Sequence, residues 1–395
     1  MQNLKNLFTK HIDAGLYPGV EWKIIHQNNI FEGRLGYLDL SAKKSLGANS
    51  LYRIWSMTKP VISVVILQLI KEKKIKLDDI ITEYLPQFNN LKVLKTRDSN
   101  ISDTVHIKNI PTIKDLLLHT AGFSYNFLGD AVAKEYDRVG LFHSNDTTLE
   151  EEINLLSTIP LLCQPSTEWV YSVSIDVLAR IIEIITKEKL QLVLEKRIFK
   201  PLEMTDTCFM LEESKLDRLM TSYEFDPLHK KLNKPSSSTQ KIGGYGYPTN
   251  SATYARGGHG LFSSLEDYSK FAQMLLTGKT KSGEIIISQS MLSLATTNHL
   301  STSFFPLEIK NFDEDVLEEN DLESYGWGLG FRVMIDIDKV NGMGSIGEFG
   351  WAGAAATYFL VDPKNDLTAV LMTQVLGAEN ILKKNFVKTI YQNLL

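Results

Sequence analysis

Two cysteines, Cys163 and Cys208, are all that this sequence of 395 residues contains. They are too few to staple a fold of this length, and neither has a second cysteine at metal-ligand spacing. Excess charge of one sign is also missing: 42 Lys and Arg against 47 Asp and Glu leave a formal charge of −5. With no basic tail or cluster, neither nucleic acid nor an anionic membrane is expected as a partner. The longest apolar run, residues 61–70, is half of the roughly 20 residues a membrane crossing requires, and Ser63 and Gln68 interrupt it. It reads as a buried helix. The start, Met1 to Lys10, lacks the apolar segment and small-residue cleavage site of a signal peptide, so a cytoplasmic location is the expectation. There is no H-E-x-x-H and no C-x-x-C, hence no metal and no cofactor is expected. There is no G-x-S-x-G elbow either, since Gly122-Phe123-Ser124 is followed by Asn126 where glycine would stand. Residues 342–347 fit G-x-G-x-x-G, but no βαβ pattern surrounds them and they read as a turn.

What is present is an ordinary globular composition, 43% hydrophobic and 23% charged. At the N-terminus Leu4, Leu7, Phe8, His11 and Ile12 form one helical stripe ending near Gly15, followed by strand-like runs at 20–26 and 30–37 joined by Gln27-Asn28-Asn29. The middle third reads as helical. Thr112 with Asp115 forms a capping box for a helix running to His119, closed by Gly122, and helical spacing resumes after Ser174. Ser264 with Asp267 opens a further helix that ends at Gly278. Residues 235–260, rich in Ser, Gly and Tyr, read as a long irregular loop, and the acidic stretch 313–323 as a solvated one. Near the C-terminus Trp327, Leu329, Phe331, Val333 and Ile335 alternate like a strand. Two more strands follow at 357–361 and 367–373, and then a last helix. Strands at both ends with helices between them argue for an α/β sandwich (α+β) assembled from residues 1–80 and 216–395, with residues 81–215 as a mostly helical insertion. A cleft between the two parts is the expected site.

The sharpest local feature is Ser56-Met57-Thr58-Lys59, followed by Pro60. Proline is tolerated only in the first turn of a helix, so a helix should begin at about Ser56. The Ser56 hydroxyl then lies at the positive end of the helix dipole, with the Lys59 amine one turn further on the same face. A serine hydroxyl is a weak nucleophile until a neighbour takes its proton, and a lysine can do so only when burial or nearby charge lowers its pKa. Taken alone, S-x-x-K recurs by chance.

The surrounding residues resemble the serine β-lactamase and penicillin-binding-protein superfamily, most closely its esterase branch, the family VIII carboxylesterases. Residues 51–60 (LYRIWSMTKP) are similar to the nucleophile block of that group, and 116–123 (LLLHTAGF) to the structural block after it. Four further segments fit in order: 169–173, 257–264, 350–353 and 358–373. The resemblance implies an antiparallel sheet flanked by helices, with Ser56 as the acylated nucleophile and Lys59 and Tyr171 as the proton-transfer pair. Trp351-Ala352-Gly353 would edge the site. The backbone amides of Ser56 and Ala354, the latter on the C-terminal strand, would hold the oxyanion. Because the segments around 56 and 351 must meet, one catalytic unit is implied. Phe123, Tyr125 and Tyr247 are aromatic candidates for an acyl pocket, while His119 and His259 read as structural.

Two departures from the lactamase and peptidase pattern bear on substrate. Tyr171 is followed by Ser172 and Val173, where those enzymes usually have Asn two positions on. Trp351-Ala352-Gly353 stands in place of Lys-Thr-Gly, which removes the cation that would grip a substrate carboxylate. The resemblance therefore implies a carboxylesterase acting on small, fairly apolar acyl esters through an acyl-Ser56 intermediate. A weak β-lactamase or D-amino-acid amidase, and a non-catalytic relative that only binds ligand, are the alternatives. The pattern leaves open which of Lys59 and Tyr171 is the main base, the natural substrate and the oligomeric state.

Overall fold

The computed structural model describes residues 2–142, 147–234, 249–251, 253–309 and 322–394. Eight strands form one antiparallel sheet. In chain order they are β1 (Gly19–His26), β2 (Asn29–Asp39), β3 (Lys44–Ser45), β4 (Tyr325–Trp327), β5 (Arg332–Met334), β6 (Phe349–Ala352), β7 (Tyr358–Asp362) and β8 (Leu367–Met372). In space the order is β4-β5-β6-β7-β8-β1-β2-β3, so the N-terminal hairpin joins the C-terminal strands along β1 and β8, with Glu21 opposite Met372. Gln27 and Asn28 both take positive φ, 48° and 67°, which makes the β1–β2 link the tight two-residue hairpin suited to strand twist.

Both faces of the central strands are covered. On one side Tyr358, Leu360, Ala369 and Leu371 pack with Leu4 and Phe8 of helix α1 (Gln2–Asp13) and with Leu382, Phe386 and Ile390 of the last helix (Glu379–Leu394). On the other, Phe359, Val361, Val370 and Met372 belong with Tyr268, Phe271 and Leu275 of the helix Leu265–Thr277. Successive residues of a strand point to opposite faces, so a strand buried on both sides reads as a near-continuous apolar run, as β7 and β8 do apart from Asp362 and Thr368. Full burial of each such side chain stabilises by about 1.5–3 kcal/mol.

The helix after the nucleophile motif spans Thr58–Lys71, preceded by a single 3-10 turn, Trp55–Met57. The α-helix thus begins two residues later than Ser56, and Ser56 itself occupies the tight turn that feeds it. Pro60 falls in the first helical turn, where no intrahelical donor is lost. Residues 61, 62, 64, 65, 66, 67 and 69 are completely buried, because the helix Ser174–Thr186 packs along this one and the short helix Ile113–Leu118 packs on Ser174–Thr186 in turn. The Thr112–Asp115 capping box is present, yet the helix it opens stops at His119 in a left-handed conformation, before Gly122 is reached.

The alternating run 327–335 is two strands, not one. Gly328 and Gly330 turn the chain between β4 and β5, so Trp327 faces Arg332 across a hairpin. Gly330 has φ +90°, and a Cβ there would lie 2.0 Å from the Ser63 hydroxyl on the buried helix. Residues 342–347 are turns that lead into β6. The Ser236–Thr239 and Gly243–Tyr247 stretches, and nearly all of the acidic stretch, lie outside the described residues. Among the described residues no helix is long and apolar enough to cross a membrane.

The helix Leu265–Thr277 is fastened at its start by Ser264, whose hydroxyl accepts the Asp267 backbone N–H, and ends at Gly278 in the left-handed conformation. Ser264→Ala should lower stability by about 1 kcal/mol. The check is the urea unfolding midpoint, which is expected to fall at unchanged slope.

Candidate active site

Three segments that are distant in sequence converge beside Ser56. The strand Leu51–Arg53 pairs antiparallel with Phe262–Ser264, and the Ile54 N–H donates to the Leu261 carbonyl (3.0 Å), which fixes the turn carrying Ser56 against residues 257–264. The end of β6 closes the other side. A Cβ on Gly353 would come within 2.4 Å of the Ile54 carbonyl oxygen, so only glycine lets the chain leaving β6 approach the Ser56 turn this closely. Trp55, the residue before Ser56, is held at φ +49°, a conformation that costs a bulky residue about 1–3 kcal/mol. Its ring stacks on His259 at 6.3 Å, and His259 Nε2 lies 2.8 Å from the Tyr254 hydroxyl. Packing from the 254–259 segment thus supports the turn that aims Ser56.

Lys59, one turn along the helix, is 1% exposed. Its Nζ donates to Ser56 Oγ (3.1 Å), to the Gly258 carbonyl (2.8 Å) and, more weakly, to the Tyr125 hydroxyl (3.4 Å). Loss of hydration pushes its pKa down to about 7, against the opposing pull of the Asp176 carboxylate. Asp176, in the first turn of Ser174–Thr186, is fully buried; its Oδ1 accepts the Gly258 N–H (2.9 Å), and burial raises its pKa in turn. An ammonium and a carboxyl therefore share one dry pocket, with Gly258 between them offering its carbonyl to the first and its amide to the second.

Tyr171 sits three residues before the same helix and is 4% exposed. Its hydroxyl is hydrogen-bonded with Ser56 and receives the Trp351 indole N–H (3.0 Å). Burial raises the phenol's pKa in spite of both bonds, so Tyr171 keeps its proton at neutral pH. His119 packs against its ring at 4.8 Å, and His119 Nδ1 accepts the Ser172 backbone N–H (3.2 Å), while the Val170 N–H donates to the His119 carbonyl (2.9 Å). The left-handed helix end at His119 thus anchors the segment that carries Tyr171. Desolvation holds this imidazole far below its usual pKa and hence neutral. Tyr125 stacks on Tyr171 at 5.7 Å, and the half-exposed Phe127 stacks on Tyr125 at 4.7 Å.

The structure therefore brings together Ser56, Lys59, Tyr171, Tyr125, Trp351 and Gly353. Ala354 lies beyond the end of β6, in the exposed turn before β7 and not on a strand. Phe123 points away, into the core against Phe88 at 6.0 Å, and Tyr247 lies outside the described residues. The sequence pattern gives no local sign of Asp176, while His119, read as structural, does cap the helix end and also braces the Tyr171 segment. The paired glycines 257 and 258 carried the missing signal. A Cβ on Gly257 would meet the Ile175 carbonyl at 2.3 Å, and one on Gly258 would meet Asp176 Oδ2 at 2.5 Å and the Tyr125 hydroxyl at 2.8 Å.

Compared with known proteins, the chain matches the family described as Beta-lactamase over residues 4–388. Protein Rv1367c of Mycobacterium tuberculosis is 30% identical over 370 residues, spanning 92% of this chain and 87% of the relative. Lovastatin esterase of Penicillium rubens is 28% identical over 327 residues, 80% of this chain and 77% of that enzyme. Among solved structures, EstCE1, described as a hydrolase with promiscuous acyltransferase activity, shares the fold with a TM-score of 0.80 at 22% identity, covering 99% of this chain and 98% of that one.

The Gly258 contacts generate a prediction about the site as a unit. Gly258→Ala should leave the protein folded but displace Tyr125 or Asp176 and shift the carbonyl that orients Lys59, and a misplacement of this kind costs up to about a hundredfold in rate. The rate at which a fluorophosphonate probe phosphonylates Ser56, followed by intact mass, measures it; labelling as fast as in the unsubstituted protein would show that the close approach is irrelevant.

Proposed function

The chain belongs to the beta-lactamase family, and on that footing we propose that it is a serine hydrolase, a carboxylesterase that cleaves small acyl esters through a covalent acyl-Ser56 intermediate. The observation that carries this reading is the Lys59 Nζ, buried and 3.1 Å from the Ser56 hydroxyl. With a pKa near 7 the amine is partly neutral at physiological pH. A neutral amine has two protons, which the Gly258 carbonyl and the Tyr125 hydroxyl accept, and its lone pair is then left for the Ser56 proton.

In the first half-reaction Ser56 Oγ bonds to the ester carbonyl carbon while its proton passes to Lys59 Nζ. The oxyanion is received by the backbone N–H groups of Ser56 and Ala354, each such donor being worth on the order of a hundred- to thousandfold in rate. As the C–O bond to the leaving group breaks, Tyr171 gives its proton to the departing alkoxide and regains one from the Lys59 ammonium, which lies 4.7 Å from the centre of its ring. Water then enters, and the same pair runs the steps in reverse order to release the acid. The raised pKa of Tyr171 supports Lys59 as the base and Tyr171 as the acid toward the leaving group.

The substrate class follows from Trp351. Its indole donates to Tyr171, so an aromatic wall stands where the lactamase and peptidase pattern has a lysine, and a neutral ester suits this edge better than a carboxylate-bearing lactam or peptide. The names of two relatives, lovastatin esterase and esterase EstB of Burkholderia gladioli, support the same class. A cytoplasmic setting belongs to this reading, and the two free cysteines support it.

A second reading is acyl transfer to an alcohol in place of water. The name of one relative, acyltransferase mokF of Monascus pilosus, 29% identical over 227 residues, favours it.

Ser56→Ala should abolish turnover of p-nitrophenyl acetate and butyrate and remove the fluorophosphonate adduct; equal rates in the two proteins would end the esterase reading. Because the lysine works as the free amine, kcat/KM should rise with pH through about 7 and level above it, losing tenfold per unit below. A pH–rate profile without a limb there would contradict Lys59 as base. Adding a primary alcohol to the assay and weighing ester against acid products tests acyl transfer, since only acid at every alcohol concentration would remove that reading.

A further inference from the structure

Behind the site lies a second buried cation. Arg256, completely buried, stands two residues before Gly258. Its Nη2 donates to Glu152 Oε1 (3.2 Å) and to the Thr147 carbonyl (2.9 Å), and the guanidinium lies 4.6 Å from the centre of the Tyr254 ring. Glu152, buried on the helix Leu149–Leu156, also accepts the Phe142 N–H (2.7 Å) and the Thr147 hydroxyl. One ion pair therefore fastens the backbone just ahead of Gly258 to Phe142, to Thr147 and to the helix that carries Glu152.

Stability alone gives little reason for the pair. Two charges removed from water lose so much hydration that a buried ion pair is often no more stabilising than apolar side chains of the same volume. Its place along the chain gives a better one. Residues 257–260 read Gly-Gly-His-Gly, and glycine leaves a backbone freer than any other residue does. Both ends of that span are pinned. On the far side the Leu261 carbonyl accepts the Ile54 N–H (3.0 Å), and the Leu261 N–H donates to the Thr58 hydroxyl (3.3 Å). On the near side the fastening is Arg256. Between the two pins Gly258 presents its carbonyl to Lys59 Nζ (2.8 Å) and its N–H to Asp176 Oδ1 (2.9 Å) at once.

We infer that Arg256, clamped by Glu152, is a positioning residue for the acylation of Ser56: it fixes the glycine backbone on which the Lys59 amine and the Asp176 carboxyl both depend. The inference rests on the esterase reading and extends its machinery by a residue that acts through Gly258.

The charge of Arg256 adds an electrostatic consequence. Asp176 faces Lys59 and Arg256, together with the Tyr125, Tyr171 and Tyr254 hydroxyls, and the two cations favour its ionised form against burial. Lys59 faces Asp176, Ser56, Tyr125 and Tyr171, with His119 and His259 held neutral by desolvation. The carboxylate in turn favours the Lys59 ammonium. Without Arg256, Asp176 takes a proton more readily, its pull on Lys59 weakens, and the amine is free of its proton at lower pH.

The test replaces both partners together, since removal of one would leave the other charge buried and alone. Arg256→Met combined with Glu152→Gln nearly keeps the volumes, and the glutamine oxygen still accepts from Phe142 and Thr147. Thermal melting establishes that the double variant is folded. Its turnover of p-nitrophenyl butyrate should show kcat lower by about ten- to a hundredfold at nearly unchanged KM, as a misplaced catalytic group gives. The acid limb of kcat/KM, expected at about pH 7 in the unsubstituted protein, should move to lower pH. Arg256→Lys, which keeps the charge but loses the planar fork, should leave the limb in place and recover only part of the rate. A folded double variant with kcat and limb both unchanged would overturn the inference, and so would a loss confined to KM. Absence of Ser56-dependent turnover of p-nitrophenyl butyrate in the unsubstituted protein is the separate outcome that removes the esterase reading itself.

Discussion

A lysine ammonium taken out of water is expensive, and the arrangement around Ser56 can be understood as the set of groups that make that burial tolerable while keeping it useful. Desolvation alone would drive Lys59 to a permanently neutral amine, whereas a close carboxylate would fix it as a permanent cation. The fold takes a middle course. Asp176 is near enough to be felt but is bound by the Gly258 amide and forms no direct ion pair with the lysine. The Gly258 carbonyl and the Tyr125 hydroxyl take up the remaining donors. Each of these partners constrains a different segment, so the requirement of one side chain is spread over the helix Thr58–Lys71, the helix Ser174–Thr186 and the 257–264 segment.

Much of the architecture is legible from residue patterns because local rules and burial agree. The capping pairs Thr112–Asp115 and Ser264–Asp267, the N-terminal hairpin and the largely apolar strands 358–362 and 367–372 all stand within a residue of where spacing puts them. The misread run 327–335 had the right alternation but two glycines inside it, and the close approach of Gly330 to Ser63 is a tertiary demand that no window of sequence contains. The same is true of the helix end at His119. A left-handed histidine is chosen there because its ring must reach the Ser172 amide, while the nearby Gly122 offers the conventional stop.

The site divides along a similar line. Ser56, Lys59, Tyr171 and Trp351 were visible through their motif blocks, and the geometry brings all four within a few residues' reach of one another. Asp176 was hidden because an acid in the first turn of a helix is ordinary complement to the helix dipole, and nothing local distinguishes a solvated one from a buried one. What distinguishes it is the pair Gly257-Gly258 some 80 residues later, which lets the backbone press onto the helix start. Phe123 was misleading for the reverse reason: its neighbourhood in sequence belongs to the site, but the segment after Gly122 (φ +88°) is irregular, so Phe123 and Tyr125 do not share the face that a regular strand would give them, and it is Tyr125 that faces Lys59.

The pairing of β1 with β8 carries a consequence for how the molecule comes into being. The Thr373 hydroxyl donates to the Gly19 carbonyl across a separation of 354 residues, so a ribosome delivers the strand beside the N-terminal hairpin long after the hairpin itself. At about 5–20 residues per second the hairpin waits roughly 20–70 s with an open, apolar edge. For that interval the nascent chain exposes an unpaired strand edge, and the Ser56 turn already made has no Gly353 segment to pack against. Hydrolytic competence and safety from aggregation therefore arrive together, at the closing of one sheet.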